Sequence, residues 1–428
     1  SISTFILDMD LGTTPLIIPD SALDAEGNIT SVELKAVANS ARVLLSDLAC
    51  DEGDTVCEDT GFDISKAFSL SDTSIDTLTS SDILGATIGN LILDQGGSIL
   101  TVPTSALRTI SVNSVNQDVV SNEEIKNLFL AVGVLGFTDL ENMTFDASII
   151  NNLSMVNEPL DLDVSKTNTL FASGIVHATL STMLFEQTEG LEGVLAVPYF
   201  AENGTTAIRE TDPTDGIEYI SLTELEHVLQ ALITIQITDF SDVDSLDLNV
   251  IIDNSSILLE SAILQATISK QVLDLGTDVV TVPYLDEDEL DVRVTVGNVL
   301  ALTDTEYILK TEITAILEAL TVLGVDDINN FSGDVDMVAI TSDPNNINTL
   351  LASATIHATI SKQLLELDTS GTIAVPYVQE DNLTDVRITV GTLGFETEYI
   401  SKVEIKAMID VLNILGITDN INTFDGNV

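Results

Sequence analysis

One short phrase recurs along this chain, and recurrence at a steady interval restricts the fold more than any other property. It reads Val102-Pro103, Val197-Pro198-Tyr199, Val282-Pro283-Tyr284 and Val375-Pro376-Tyr377, with a weaker form at Ile18-Pro19. The interval is about 90 residues, the size of a small unit copied in tandem. A second anchor keeps the same period: Ser121-Asn122-Glu123-Glu124, Ser221-Leu222-Thr223-Glu224 and Ser401-Lys402-Val403-Glu404. Thr30-Ser31-Val32-Glu33 matches it, and Leu309-Lys310-Thr311-Glu312 keeps only the glutamate. Ser or Thr three residues before Glu predicts a helix start of the capping-box type. Apolar residues then follow at helical spacing, as in Ile405, Ile409, Leu412 and Leu415. Three copies close this helix at glycine (Gly136, Gly324 and Gly416), which suits the left-handed residue past a helix end. Gln236 stands there in the remaining copy and predicts a less relaxed terminus.

After a short extended stretch, as in Asp334 to Ile340, the pattern predicts a second helix. Its copies are Ile75–Leu93, Leu170–Phe185, Ile257–Leu275 and Leu350–Leu367. Each is centred on an Ala-Thr pair: Ala86-Thr87, Ala178-Thr179, Ala266-Thr267 or Ala358-Thr359. Small residues there predict close approach of another element. β-Branched runs, Val279–Val282 and Thr372–Val375, then predict a strand ending at the proline, which has no N–H to give a ladder. A further strand carries one arginine per copy, Arg108, Arg209, Arg293 or Arg387, expected to bridge carboxylates within or between units. All six tyrosines fall in the Val-Pro-Tyr or Glu-Tyr-Ile phrases, so they read as packing residues with hydroxyls at the rim.

The expected fold is α+β, an elongated tandem array of small repeat domains, each with two helices and a small sheet. Residues 30–120, 121–220, 221–308 and 309–400 form four repeats. Residues 1–29 read as the end of a preceding one and residues 401–428 as the start of another, as in a piece of a longer polypeptide. No linker rich in Pro, Gly or Ser separates the copies, which predicts a semi-rigid string.

Composition bounds the function. The formal charge is -55, yet 45% of residues are apolar, so the acidity must be carried on the surface of folded units rather than in a disordered tail. Such a surface repels nucleic acid and anionic membrane, attracts divalent cations and keeps an apolar-cored array soluble. High-salt adaptation explains the charge equally well. No run of about 18 apolar residues exists to span a membrane.

Few residues offer chemistry. Cys50 and Cys57 enclose a small loop in the first repeat; a disulfide there implies an oxidising compartment, and reduced thiols in a cytosolic protein are the competing reading. His177 and His357 sit where sister copies have Gly85 and Gln265, which argues against an obligatory catalyst. Asp286, Asp288 and Asp291 form the densest acidic loop, with Asp242 and Asp244 in a second; they are the candidate ligands for calcium, although neither run matches an EF-hand loop.

The phrases Leu351–Ser361 and Leu412–Asp419 resemble tandem units of very large predicted surface proteins of bacteria. The resemblance spans nearly the whole chain, implies export and a role as stalk, adhesin, filament or envelope component, and transfers no functional residue. The expected function is therefore non-enzymatic, structural or adhesive, and extracellular or at the cell surface. Neighbouring repeats, other copies of the chain and a surface partner of unknown kind are the expected partners, without nucleic acid. The alternatives are a calcium-stiffened surface module and a halophilic enzyme fragment.

Overall fold

The computed structural model describes residues 10–11, 14–47, 70–96, 100–137, 152–158, 160–186, 195–236, 248–276, 279–297, 304–325, 331–333, 335, 340, 343, 345–379 and 384–414. Strands β1 (Asp10–Leu11) and β2 (Thr14–Pro15) lead to helices α1 (Ser31–Asp47), α2 (Asp72–Thr79) and α3 (Asp82–Gly96). Hairpin β3 (Leu107–Val112) and β4 (Val115–Val120) follows, then α4 (Asn122–Val134), α5 (Val164–Phe171) and α6 (Gly174–Glu186). Hairpin β5 (Arg209–Thr211) and β6 (Glu218–Ile220) precedes α7 (Leu222–Thr234), α8 (Leu248–Leu258) and α9 (Ala262–Asp274). Next come β7 (Arg293–Val296), β8 (Thr305–Ile308), α10 (Lys310–Val322), α11 (Asn346–Ala352) and α12 (Ala354–Thr369). The series closes with β9 (Arg387–Val390), β10 (Thr397–Ile400) and α13 (Lys402–Ile414). The protein is thus α+β, and each sheet among the described residues has two strands. The chain divides into two compact units, residues 1–186 with 210–222 and residues 187–209 with 223–428.

In the first unit, Ala86 of α3 packs with Ile110 and Val119 of the β3–β4 hairpin, and Ile17 lies against the same cluster. In the second unit, Ala358 of α12 packs with Val390 and Tyr399 of the β9–β10 hairpin, with Leu285 alongside. The alanine of the Ala-Thr pair thus admits a hairpin to the helix surface. A second contact fixes its height. The N–H groups of Ile220, Ile308 and Ile400 donate to Ser181, Ser269 and Ser361 Oγ, each at 3.0 Å. The matching residue of α3 is Gly89, where a Cβ would lie 2.5 Å from the Val120 carbonyl oxygen, so only glycine fits. Complete enclosure of a large aliphatic side chain contributes about 1.5–3 kcal/mol, so these interfaces supply much of each unit's stability.

Two expectations need correction. The second helix is not continuous. A short helix (α2, α5, α8 or α11) ends beside a serine, and a longer one (α3, α6, α9 or α12) starts after it. Ser261 (φ -76°, ψ 122°) and Ser353 (φ -79°, ψ 121°) leave helical geometry, and their hydroxyls accept from Leu264 N and Ile356 N. Serine competes with helix continuation by capping the amide three residues on.

The run before the Val-Pro phrase is also not a ladder strand. Val279–Val282 and Thr372–Val375 carry no strand pairing. Their backbone reaches side chains instead: Thr281 N donates to Thr359 Oγ1 (3.0 Å) and Val375 N to Asp368 Oδ1 (2.9 Å). Branched side chains permit extended backbone, but the neighbour is a helix, which has no free edge to pair with.

The expectation for Gln236 is met. Gly136 (φ 76°) and Gly324 (φ 70°) are left-handed, and Gln236 adopts the same conformation (φ 56°) with a side chain that disfavours it. The extended stretch Asp334–Ile340 lies largely outside the described residues, as does Gly416.

Candidate functional site

Among the described residues the buried acidic side chains are Glu33, Glu124, Glu224 and Glu312, the same position of four copies. In a chain of 69 acids this selection marks the candidate site. Each glutamate lies in the first turn of α1, α4, α7 or α10, close to where the sequence places a capping box. Half of that box forms: Glu33 N donates to Thr30 Oγ1 and Glu124 N to Ser121 Oγ, both at 3.2 Å. The other half does not. The N–H groups of Thr30, Ser121, Leu309 and Ser401 go to backbone carbonyls of Ala22, Ala106, Val292 and Val386, so no carboxylate is needed there.

The carboxylates cross to another helix. Glu33 accepts from Ser81 Oγ (2.6 Å), Asp82 N (3.2 Å) and Ile83 N (3.0 Å). Glu124 accepts from Ser173 Oγ (2.6 Å), Gly174 N (3.2 Å) and Ile175 N (2.9 Å). Glu224 does the same with Ser261 Oγ, Ala262 N and Ile263 N at 2.7, 3.1 and 2.8 Å. Glu312 holds Ser353 Oγ, Ala354 N and Thr355 N at 2.7, 3.1 and 2.8 Å. A helix start has four unpaired amides and a partial positive charge, and the carboxylate answers both. Burial pushes the carboxyls of Glu124, Glu224 and Glu312 above the usual range, while the serine and amide hydrogen bonds pull them back.

The Ala-Thr threonine forms a second lock on the same helix. Thr87, Thr179, Thr267 and Thr359 each donate to the carbonyl four residues back. Each hydroxyl also accepts a backbone N–H from far away: Ile17, Thr101, Ala196 and Thr281, at 2.9–3.0 Å. The donors all precede a Pro phrase, so the phrase is fixed to a helix about 70–80 residues later.

The arginines join the same phrase. Arg209 and Arg387 donate through Nε to the carbonyls of Val197 (3.1 Å) and Val375 (2.9 Å). Their guanidinium groups lie over the Tyr199 and Tyr377 rings at 4.5 and 4.7 Å, and Arg293 lies 3.8 Å from the Tyr284 centroid. The acidic partners are Asp82 for Arg108 (3.2 Å), Glu306 for Arg293 (3.5 Å), and Asp368 (2.5 Å) with Glu398 (3.6 Å) for Arg387. Contrary to the rim position expected for tyrosine hydroxyls, Tyr307 and Tyr399 are fully enclosed, because their hydroxyls donate to the carbonyls of Phe200 and Leu285.

The variable histidine position has one structural task. His177 and His357 Nε2 meet the carbonyls of Ile220 (2.8 Å) and Ile400 (2.7 Å), and Gln265 Nε2 donates to Ile308 O (3.1 Å). A carbonyl only accepts, so the histidine proton sits on Nε2. Burial lowers the His177 imidazole and brings His357 down to about 4. At Gly85 a side chain would meet Asn122, whose amide donates to Thr79 O.

The acidic loop turns on itself. Asp286 Oδ1 accepts from Asp288 N and Leu290 N, both at 2.9 Å, and Leu285 bridges to Asp291. Glu287 points inward, accepting from Lys402 N (3.3 Å) beside His357 (3.5 Å). Among the described residues no group of three or more His, Cys, Asp or Glu side chains is placed to hold a metal ion. Asp242, Asp244, Cys50 and Cys57 lie outside the described residues. A polar cavity of about 310 Å³ lies beside α12, spanned by Gln363, whose Nε2 donates to Gly333 O. No described helix is long and apolar enough to cross a membrane.

Sequence reasoning missed the serine partners Ser81, Ser173, Ser261 and Ser353. Their signal was present, since a serine recurs 37–49 residues after every buried glutamate. No protein-family model, curated protein or solved structure matches the chain.

Proposed function

We propose that this chain is a non-enzymatic structural or adhesive segment of an extracellular or cell-surface protein, built as a tandem array of α+β repeats. One observation carries the reading: the buried glutamate, its serine and two helix amides recur with the same partners in four copies. A carboxylate that already accepts three hydrogen bonds is occupied in holding two helices together. His177 and His357 are likewise committed to backbone carbonyls, and Gln265 does the same work in a sister copy. The neighbouring repeat is the first partner of each repeat, because the Pro phrase of one is fixed by the threonine of the next. The other acids with described side chains lie outside these cores, and the net charge of -55 favours a soluble, mutually repelling surface.

Antibodies raised against the purified chain test the location. Staining of intact, unpermeabilised cells of the source organism is expected, with loss of signal after brief external protease. Staining only after permeabilisation would refute the surface assignment.

A further inference from the structure

Helix α13 is the fifth of its kind, and its surroundings differ from those of the other four. Seven residues after each glutamate stand Ser40, Ala131, Ala231 and Ala319, all at 0% exposure; the matching Val411 is 54% exposed. The next residue repeats the contrast with three copies, since Val132, Leu232 and Leu320 are buried, whereas Ala41, like Leu412, is half-buried. Ser40 shows what covers this position: its hydroxyl donates to Thr77 O of α2 at 2.7 Å. Glu404 is half-buried, and Gln379 Nε2 donates to it at 3.2 Å in place of a serine and two helix amides. Ile405 and Ile409 are buried, so the stripe of α13 beside this face is already packed.

We propose that the open face of α13, from Glu404 to Val411 and Leu412, is a docking surface for the Ser-capped helix pair of a further repeat. The proposal rests on the array reading and names its next contact. The glutamate specifies the occupant's chemistry: a helix start with free amides and a serine hydroxyl, which is what every sister glutamate holds. The aliphatic stripe specifies the short helix before it. Val411 is bulkier than the serine or alanines at this place, so the occupant must present a small side chain there.

The full chain, extended after Val428 by its own residues 336–400, tests this. Those residues contain α11, α12 and the hairpin that follows. Amide hydrogen exchange of α13 should slow about 100-fold on extension. Glu404→Ala should reverse most of that slowing in the extended chain and leave exchange in the unextended chain unchanged. Exchange in α13 that is the same with and without the extension would overturn the proposal. So would slowing that survives Glu404→Ala in full. Concentration-dependent dimers of the unextended chain that protect α13 would also overturn it, by assigning the face to a second copy. Failure of cell-surface staining would leave the exchange result standing, so the two readings fail separately.

Discussion

His357 shows how a residue that resembles a catalyst is absorbed by packing. Its ring is fully enclosed against Tyr399 (4.8 Å), with Nε2 on the Ile400 carbonyl and Glu287, Asp286 and Lys402 nearby. Burial holds its pKa at about 4, below the ordinary 6.5. Between these values the unfolded chain takes up a proton that the folded chain refuses. The stability tied to this group is therefore present above pH 6.5 and lost as pH falls toward 4. Gln265 occupies the matching place in a sister copy, so His357→Gln keeps the bond to the carbonyl. The variant should match the parent at pH 7.5 within about 1 kcal/mol. It should then gain on the parent by about 2–3 kcal/mol as pH approaches 4 in urea titrations. A difference independent of pH would show that His357 binds its proton equally well in the folded and unfolded protein, so that burial does not shift it.

At the scale of elements, helix ends and breaks carry the lesson. Gln236 holds a left-handed conformation that glycine supplies in Gly136 and Gly324. Gln236→Gly should stabilise the protein by about 0.5–1 kcal/mol in urea unfolding, since the strain removed outweighs the chain entropy added. A neutral or destabilising result would mean that the glutamine side chain makes a compensating contact. This site was legible in sequence because a helix end is a local event and three copies show the glycine. The Arg-bearing strands were legible for the same reason, but their antiparallel pairing with the Glu-Tyr-Ile segment was not. The break at Ser353 was not, since Leu350–Leu367 keeps helical periodicity through it. Ser353 ends the helix by capping Ile356 N, and the carboxylate that holds this serine in place is Glu312, 41 residues earlier, a partner too distant for any local pattern to report. The glutamate was therefore read with the partner next to it in sequence. The Ala-Thr pair was half legible: its small size pointed to close packing, but the donor to Thr359 comes from Thr281, 78 residues away.

For the whole molecule, 69 acidic residues stand against 14 basic ones, and among the described residues the buried acids are four locked glutamates. Repulsion among the remainder opposes compaction, and salt shortens its range from about 10 Å at 0.1 M to about 3 Å at 1 M. Melting temperature should therefore rise by several degrees from 0.05 to 1 M sodium chloride; a fall would show that favourable ion pairs, such as Arg387 with Asp368, outweigh the repulsion. The account stands on the claim that the recurring glutamate is a structural fastener between helices. Amide hydrogen exchange on Glu312→Ala and Glu404→Ala tests it most directly. Loss of the Glu312 carboxylate strands a buried hydroxyl and two amides, at a cost of about 3 kcal/mol. Exchange in the first turn of α12, Ala354 to Ile356, should then quicken about 100-fold, while Glu404→Ala leaves every helix as protected as in the parent. Unchanged protection of α12 in Glu312→Ala, or equal losses in both variants, would contradict the account.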